Sequence, residues 1–198
     1  LRSEAGIIKQ RHPRATRMVE RERLDLLSLN ESFDILRTGV GLDNADHALK
    51  QLPDPKVYAG IIHFGVSGSI SEALRIGQIV RGRQFLCKEL EGIELPTVVK
   101  DKDSRSQQVT FFSSREPITD EDARHAVASL GAEAVDMESY SIAKFCLEEE
   151  LPLLAIRCIS DRAGESTPTD FKQHYRDAAE KLQLFLLEHY LTAPGGTK

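Results

Sequence analysis

The residues with the chemistry to break or grip a bond fall in three short segments. Asp136-Met137-Glu138-Ser139 places two acids around a methionine, where the apolar step Ala134-Val135-Asp136 feeds a helix expected over residues 137–149. An ionised carboxylate accepts two hydrogen bonds at once, which suits a pair of sugar hydroxyls. The thioether beside it offers a soft apolar wall. Acids at a helix entrance also serve as ordinary caps favoured by the helix dipole. Ser160-Asp161 follows the most apolar run of the chain, residues 151–159. A carboxyl in a partly dry cleft is pushed toward its protonated form and can then hand a proton to a leaving group. The same two residues are equally suited to binding local backbone as a turn or cap. Gly65-Val66-Ser67-Gly68-Ser69 is the third segment. Its glycines let backbone N–H groups approach a sugar or an anion, and its serines add hydroxyls, although ordinary turns use the same residues.

Other motifs carry less. Gly39-Val40-Gly41-Leu42-Asp43-Asn44 half-matches a dinucleotide fingerprint, but Asn44 stands at the third glycine and no acid ends a following strand, so it reads as a tight turn. The charged stretch over residues 9–23 reads as a solvated helix face or loop, with an anion site built on Arg11, Arg14 and Arg17 as the alternative. His12, His47, His63, His125, His174 and His189 share no metal-ligand spacing, and His63, inside an apolar run, reads as a core residue. No Ser-His-Asp arrangement and no Gly-x-Ser-x-Gly elbow is present.

The elements that must position these segments follow from periodicity and punctuation. Strands are expected over residues 33–38, 57–64, 78–81, 109–112, 134–136 and 151–159, with breaks at Gly65 and Ser160. Helices are expected over 44–52, 119–129 with Thr119 as cap, 137–149 and 171–191. Strands alternating with helices define an α/β domain with a central mixed, mostly parallel sheet flanked by helices in three layers. Sites in such sheets lie at the carboxyl ends of strands, which selects Glu4, residues 65–69, 136–138 and 160–161.

Composition narrows the function classes. The chain has 198 residues with 40% hydrophobic and 29% charged, ordinary for a globular domain, so whole-chain disorder and fibrous repeats are excluded. A single domain over residues 1–191 with a flexible tail at 192–198 is expected. Net charge −5 and a pI near 5.7 argue against a dedicated nucleic-acid binder. No apolar run approaches the roughly 20 residues of a membrane span. Cys87, Cys146 and Cys158 lack metal spacing, and with no leader pattern they point to a reduced, cytoplasmic compartment. The start at Leu1, not Met, suggests that residues are missing upstream.

Taken in order, these segments resemble a known superfamily. Residues 65–80, residues 135–139 and Ile159-Ser160-Asp161-Arg162-Ala163 resemble the glycine-rich, Val-Glu-Met-Glu and Ile-Ser-Asp segments of the purine nucleoside phosphorylases and nucleosidases. Within it the chain is most similar to the methylthioadenosine/S-adenosylhomocysteine nucleosidases. The Thr38–Gly41 turn and residues 131–139 resemble its hopanoid-associated phosphorylase or nucleosidase branch.

The resemblance implies a nucleoside phosphorylase-like fold and cleavage of the N-glycosidic bond of a 5′-substituted adenosine, releasing adenine. It implies Asp161 as the acid that protonates the purine and Glu4 as the base that activates water. Glu138 then binds the ribose hydroxyls, Met137 packs on the sugar, and Gly65, Val66, Ser67, Gly68 and Ser160 line the substrate. It implies a homodimer, a purine nucleoside as ligand, and no metal or organic cofactor. Phosphorolysis, with phosphate as co-substrate, and a non-catalytic nucleoside-binding protein are the alternatives. The chain departs from the pattern at Val66, where serine or threonine is common, at Ser69 in place of a paired glycine, and at Gln78 in place of an acid.

Overall fold

Buried strands set the frame, and the computed structural model describes residues 5–12, 16–21, 24–88, 90–94 and 106–191. Strand β9 (Leu153–Asp161) is buried at all nine positions. Its side chains alternate between two cores. Leu153, Ala155 and Ile159 join one cluster with helices α2 (Leu42–Leu49) and α4 (Ser139–Glu148). Leu154, Ile156 and Cys158 join another with α1 (Gly6–Arg11) and α5 (Thr167–His189). A strand covered on both faces needs apolar residues at every position, which explains the near-continuous run in the sequence. Position 157 breaks that run with an arginine on the α4 side.

The remaining strands are β1 (Thr16–Arg21), β2 (Leu24–Asn30), β3 (Phe33–Arg37), β4 (Ile61–Ser69), β5 (Ile79–Cys87), β6 (Ile93–Glu94), β7 (Gln107–Ser113) and β8 (Ala134–Asp136). Strands β1, β2 and β3 form an antiparallel sheet. The other six lie in the order β6-β5-β7-β8-β4-β9. Pairs β4–β9, β5–β7 and β7–β8 are parallel, while β4–β8 and β5–β6 are antiparallel. An antiparallel β5–β9 pairing over Ile79–Arg81 joins the two ends, so five strands close on one another. The result is a central mixed sheet between two helical layers.

Several expected boundaries are corrected. The charged stretch is not a single helix face: α1 ends at Arg11 and β1 begins at Thr16, while residues 13–15 and 22–23, and with them Arg14 of the alternative anion site, lie outside the described residues. Strand β2 was not expected at all. Strand β4 does not break at Gly65 but runs to Ser69, because Gly65–Ser67 stay paired to Arg157–Ile159. Ser160 and Asp161 likewise belong to β9, not to a loop. The cap of α3 (Glu121–Ser129) is Asp120, not Thr119; its side chain accepts from Ala123 N at 2.8 Å. Helix α5 starts at Thr167 with Pro168 in its first turn, one turn earlier than expected. Among the described residues, no helix is long and apolar enough to cross a membrane.

Candidate active site

Strand β4 and the carboxyl ends of β3, β8 and β9 border one cavity of ≈ 570 Å³. That is ample for a nucleoside-sized ligand. Three of the four segments selected from the sequence meet there: Gly65–Gly68, Asp136–Glu138 and Ser160–Asp161. The fourth, Glu4, lies outside the described residues, and its neighbour Ala5 lines the cavity. The Thr38–Gly41 turn also lines or borders it.

Asp161 reaches the cavity through an irregularity in the ladder. Ser67 pairs with Ile159 and Gly68 pairs with Asp161, so Ser160 is an extra residue on β9. Such a bulge re-aims the side chain that follows it. Ser160 Oγ donates to Asp161 Oδ2 at 2.7 Å and to Ser67 O at 3.3 Å. Ala163 N donates to Oδ1 at 3.0 Å and Thr167 Oγ1 to the same oxygen at 3.5 Å. Ala163 holds φ at 46°, a left-handed conformation that costs an L-residue about 1–2 kcal/mol. Strain of that kind beside a carboxyl in a cavity is a mark of function. Burial raises the Asp161 pKa above the ordinary carboxyl value; the donated hydrogen bonds oppose the shift but do not cancel it. The expected alternatives therefore coexist: Asp161 binds local backbone and faces the cavity as a proton-prone acid.

Glu138 occupies the N-cap position of α4 without capping it. Its Oε1 accepts from Gly41 N at 2.8 Å. Gly41 holds φ at 99°, a region a side chain would strain, and this turn is what aims its N–H at the carboxylate. Glu138 is partly exposed to the cavity, next to Met137.

Behind Glu138 lies a buried polar cluster. Asp136 Oδ2 accepts from Arg157 Nη2 at 2.7 Å and from Arg157 Nε at 3.1 Å, with both side chains 1% exposed. Ser113 Oγ donates to Asp136 Oδ1 at 2.7 Å, Ser139 N at 3.1 Å, and Ser139 Oγ closes on Oδ2. Burial alone would raise the Asp136 pKa, but the Arg157 guanidinium and these donors hold it below the ordinary value. Arg157 Nη2 also reaches His63 Nε2, and it lies 3.9 Å from Glu138 Oε2. Arg157 Nη1 and Ser67 Oγ are buried with no hydrogen-bond partner among the described residues. An orphaned buried donor costs about 1–3 kcal/mol.

Sequence reasoning named Asp136 but gave it no place among the site residues, and it overlooked Arg157. The signal for Arg157 was present: one charged residue inside a strand buried on both faces needs a buried acid, and Asp136 is one. His63 also exceeds its expected role as a core residue, since it lines the cavity as well as meeting Arg157. Among the described residues, no group of three or more His, Cys, Asp or Glu could hold a metal ion.

A closed mixed sheet between helices, with carboxylates at strand ends facing one cavity, defines an α/β enzyme-like architecture with a nucleoside-sized site. Residues 83–191 match the family model of the Phosphorylase superfamily, and the chain belongs to that superfamily. A 5′-methylthioadenosine/S-adenosylhomocysteine nucleosidase of Thermotoga maritima is 28% identical over 131 residues, 59% of this chain and 60% of that protein. The chain thus matches less than two thirds of that relative's length. A nucleosidase of the same description from a Marinomonas species is 24% identical over 181 residues, covering 77% of this chain and 78% of that protein. Among solved structures, the nucleosidase of Colwellia psychrerythraea in complex with adenine aligns with a TM-score of 0.80 at 21% identity, over 94% of this chain and 90% of that one. That of Neisseria meningitidis with methylthio-immucillin-A aligns with a TM-score of 0.84 at 16% identity, over 95% and 94%. At these identities the structural likeness shows the fold.

Proposed function

We propose that this chain hydrolyses the N-glycosidic bond of a 5′-substituted adenosine and releases adenine. The observation that carries the reading is the pairing of a buried Asp161, whose pKa burial raises, with the carboxylate of Glu138 on the walls of one cavity. The relatives named above, described as nucleosidases, support it.

In this reading Asp161 gives its proton to a purine ring nitrogen as the C1′–N bond breaks and its electron pair leaves with the base. Positive charge grows on the ribosyl carbon. Glu138 accepts the ribose hydroxyls and, with Asp136 behind it, supplies negative potential at that centre. Met137 packs on the sugar, and Gly65, Val66, Ser67, Gly68 and Ser160 line the ligand. Water adds its oxygen to C1′ and its proton passes to Glu4. Arg157 Nη2, 3.9 Å from Glu138 Oε2, holds that carboxylate in place from behind.

Residues 1–191 act as one unit in this reading, and the protein works as a homodimer. Adenine release from methylthioadenosine, followed chromatographically with and without phosphate, tests the reaction. Release without phosphate is expected. Release that requires phosphate reassigns the chain to phosphorolysis, and tight nucleoside binding without cleavage reassigns it to a binding protein.

A further inference from the structure

We infer that His63 is a positioning residue: its neutral ring accepts a hydrogen bond from Arg157 and fixes the guanidinium between Asp136 and Glu138, the carboxylate at the cavity wall. The inference rests on the nucleosidase reading for its effect on turnover, but its geometry stands apart from it.

A guanidinium has five N–H groups in one plane. Nε and one N–H of Nη2 are taken by Asp136 Oδ2. The other N–H of Nη2 points to His63 Nε2, with Ser139 Oγ a longer partner at 3.3 Å. With Nε and Nη2 held, planarity fixes Nη1, which has no hydrogen-bond partner among the described residues. Arg157 and His63 both border the cavity, and the guanidinium so held stands 3.9 Å behind Glu138 Oε2.

The contact defines the state of the imidazole. An arginine only donates, so Nε2 must be the unprotonated nitrogen and the ring proton must sit on Nδ1. A second proton would set donor against donor and cation against cation. The charged groups around the ring are Arg157 from β9 and Asp136 from β8, with Glu138 at the entrance of α4 beyond the guanidinium. Asp136 favours the charged ring, but burial first and Arg157 second hold the His63 pKa well below its ordinary value. A buried histidine kept for packing alone has no need of this tautomer.

Two measurements test the inference. The first is long-range proton–nitrogen NMR on the uniformly labelled protein between about pH 5 and pH 8, the span in which an ordinary histidine titrates. Nε2 is expected to remain unprotonated and Nδ1 protonated throughout. A proton on Nε2, or titration in the ordinary range, overturns the inference. The second compares adenine release from methylthioadenosine by the parent, H63L and H63Q. Removing the acceptor in H63L is expected to lower kcat roughly tenfold or more with KM little changed. H63Q, which returns an acceptor oxygen, is expected to recover most of that loss. A folded H63L with parental kcat overturns the inference, as does an H63Q no better than H63L. If H63L does not fold, the NMR result decides. If the parent releases no adenine, the nucleosidase reading is what fails, and the ring state still judges His63.

Discussion

Gly68→Ala probes how closely β4 is fitted to the proposed acid. A Cβ at Gly68 would lie 2.7 Å from Asp161 Oδ1, 2.9 Å from Ala163 Cβ and 3.1 Å from Val135 Cγ1. Ordinary non-bonded contacts are about 3.5–4.0 Å, so the carboxylate must retreat by roughly 0.8–1.3 Å. Ala163 cannot yield easily, because its φ of 46° already sits in a strained region. Val135 is buried against Ile70, Phe112 and Ile118. The carboxylate therefore moves, and the 3.0 Å bond from Ala163 N is lost or rebuilt. Overpacking of this kind costs about 1–3 kcal/mol, and displacing a reacting group by about 1 Å costs about 100-fold in rate. The expected result is an adenine-release kcat reduced about 100-fold, with a Tm lower by roughly 2–12 °C. Gly60→Ala is the control: its Cβ would meet the Pro152 carbonyl at 3.0 Å, away from the cavity, and should lower Tm while leaving kcat alone. Parental activity in Gly68→Ala, or equal loss of activity in both variants, would refute the close-fit argument.

Three further outcomes follow from the same geometry. The folded-state pKa of Asp161 is raised, so the native state binds its proton more tightly than the unfolded state, and stability falls as pH rises through that pKa; Asp161→Asn should thus melt higher than the parent at neutral pH, with the gap closing in acid, and a lower neutral-pH Tm would contradict the assignment. Asp136→Ala strands a buried guanidinium and should cost about 3–5 kcal/mol, a Tm loss on the order of 10 °C by calorimetry. Because the folded pKa of Asp136 is depressed, its contribution is present above the unfolded pKa and disappears as pH falls through the folded one, so the parental advantage should shrink in acid. Glu138→Gln should weaken binding of methylthioadenosine while leaving adenine binding unchanged by isothermal titration calorimetry, since Glu138 serves the sugar end; equal weakening of both would place it elsewhere.

Much of this arrangement could be read from the residues, and the failures have physical causes. Strand β8 and the buried β9 were legible because hydrophobicity and β-branching agree there with burial on both faces. Strand β2 was not, because Leu24-Asp25-Leu26-Leu27-Ser28-Leu29 fits a helical period about as well as a strand, and antiparallel pairing with β1 and β3 decides between them. The break assigned to Gly65 followed turn chemistry, but Gly65–Gly68 stay in the strand because β9 pairs with them in parallel, and Ser69 because β8 pairs with it antiparallel. The three segments that meet in the cavity were legible from carboxylates and glycines at strand ends. Arg157 was hidden by its strand: a charge in an apolar run shows its role only when its partner is known to be near, and Asp136 lies 21 residues away in sequence. His63 was hidden for the same reason.

The most direct test of the central claim is adenine release from methylthioadenosine by the purified chain and by Asp161→Asn, in phosphate-free buffer, with adenine binding to both measured alongside. Turnover by the parent, its loss in Asp161→Asn, and adenine binding retained by a folded variant are expected. Undiminished turnover in Asp161→Asn would contradict the claim.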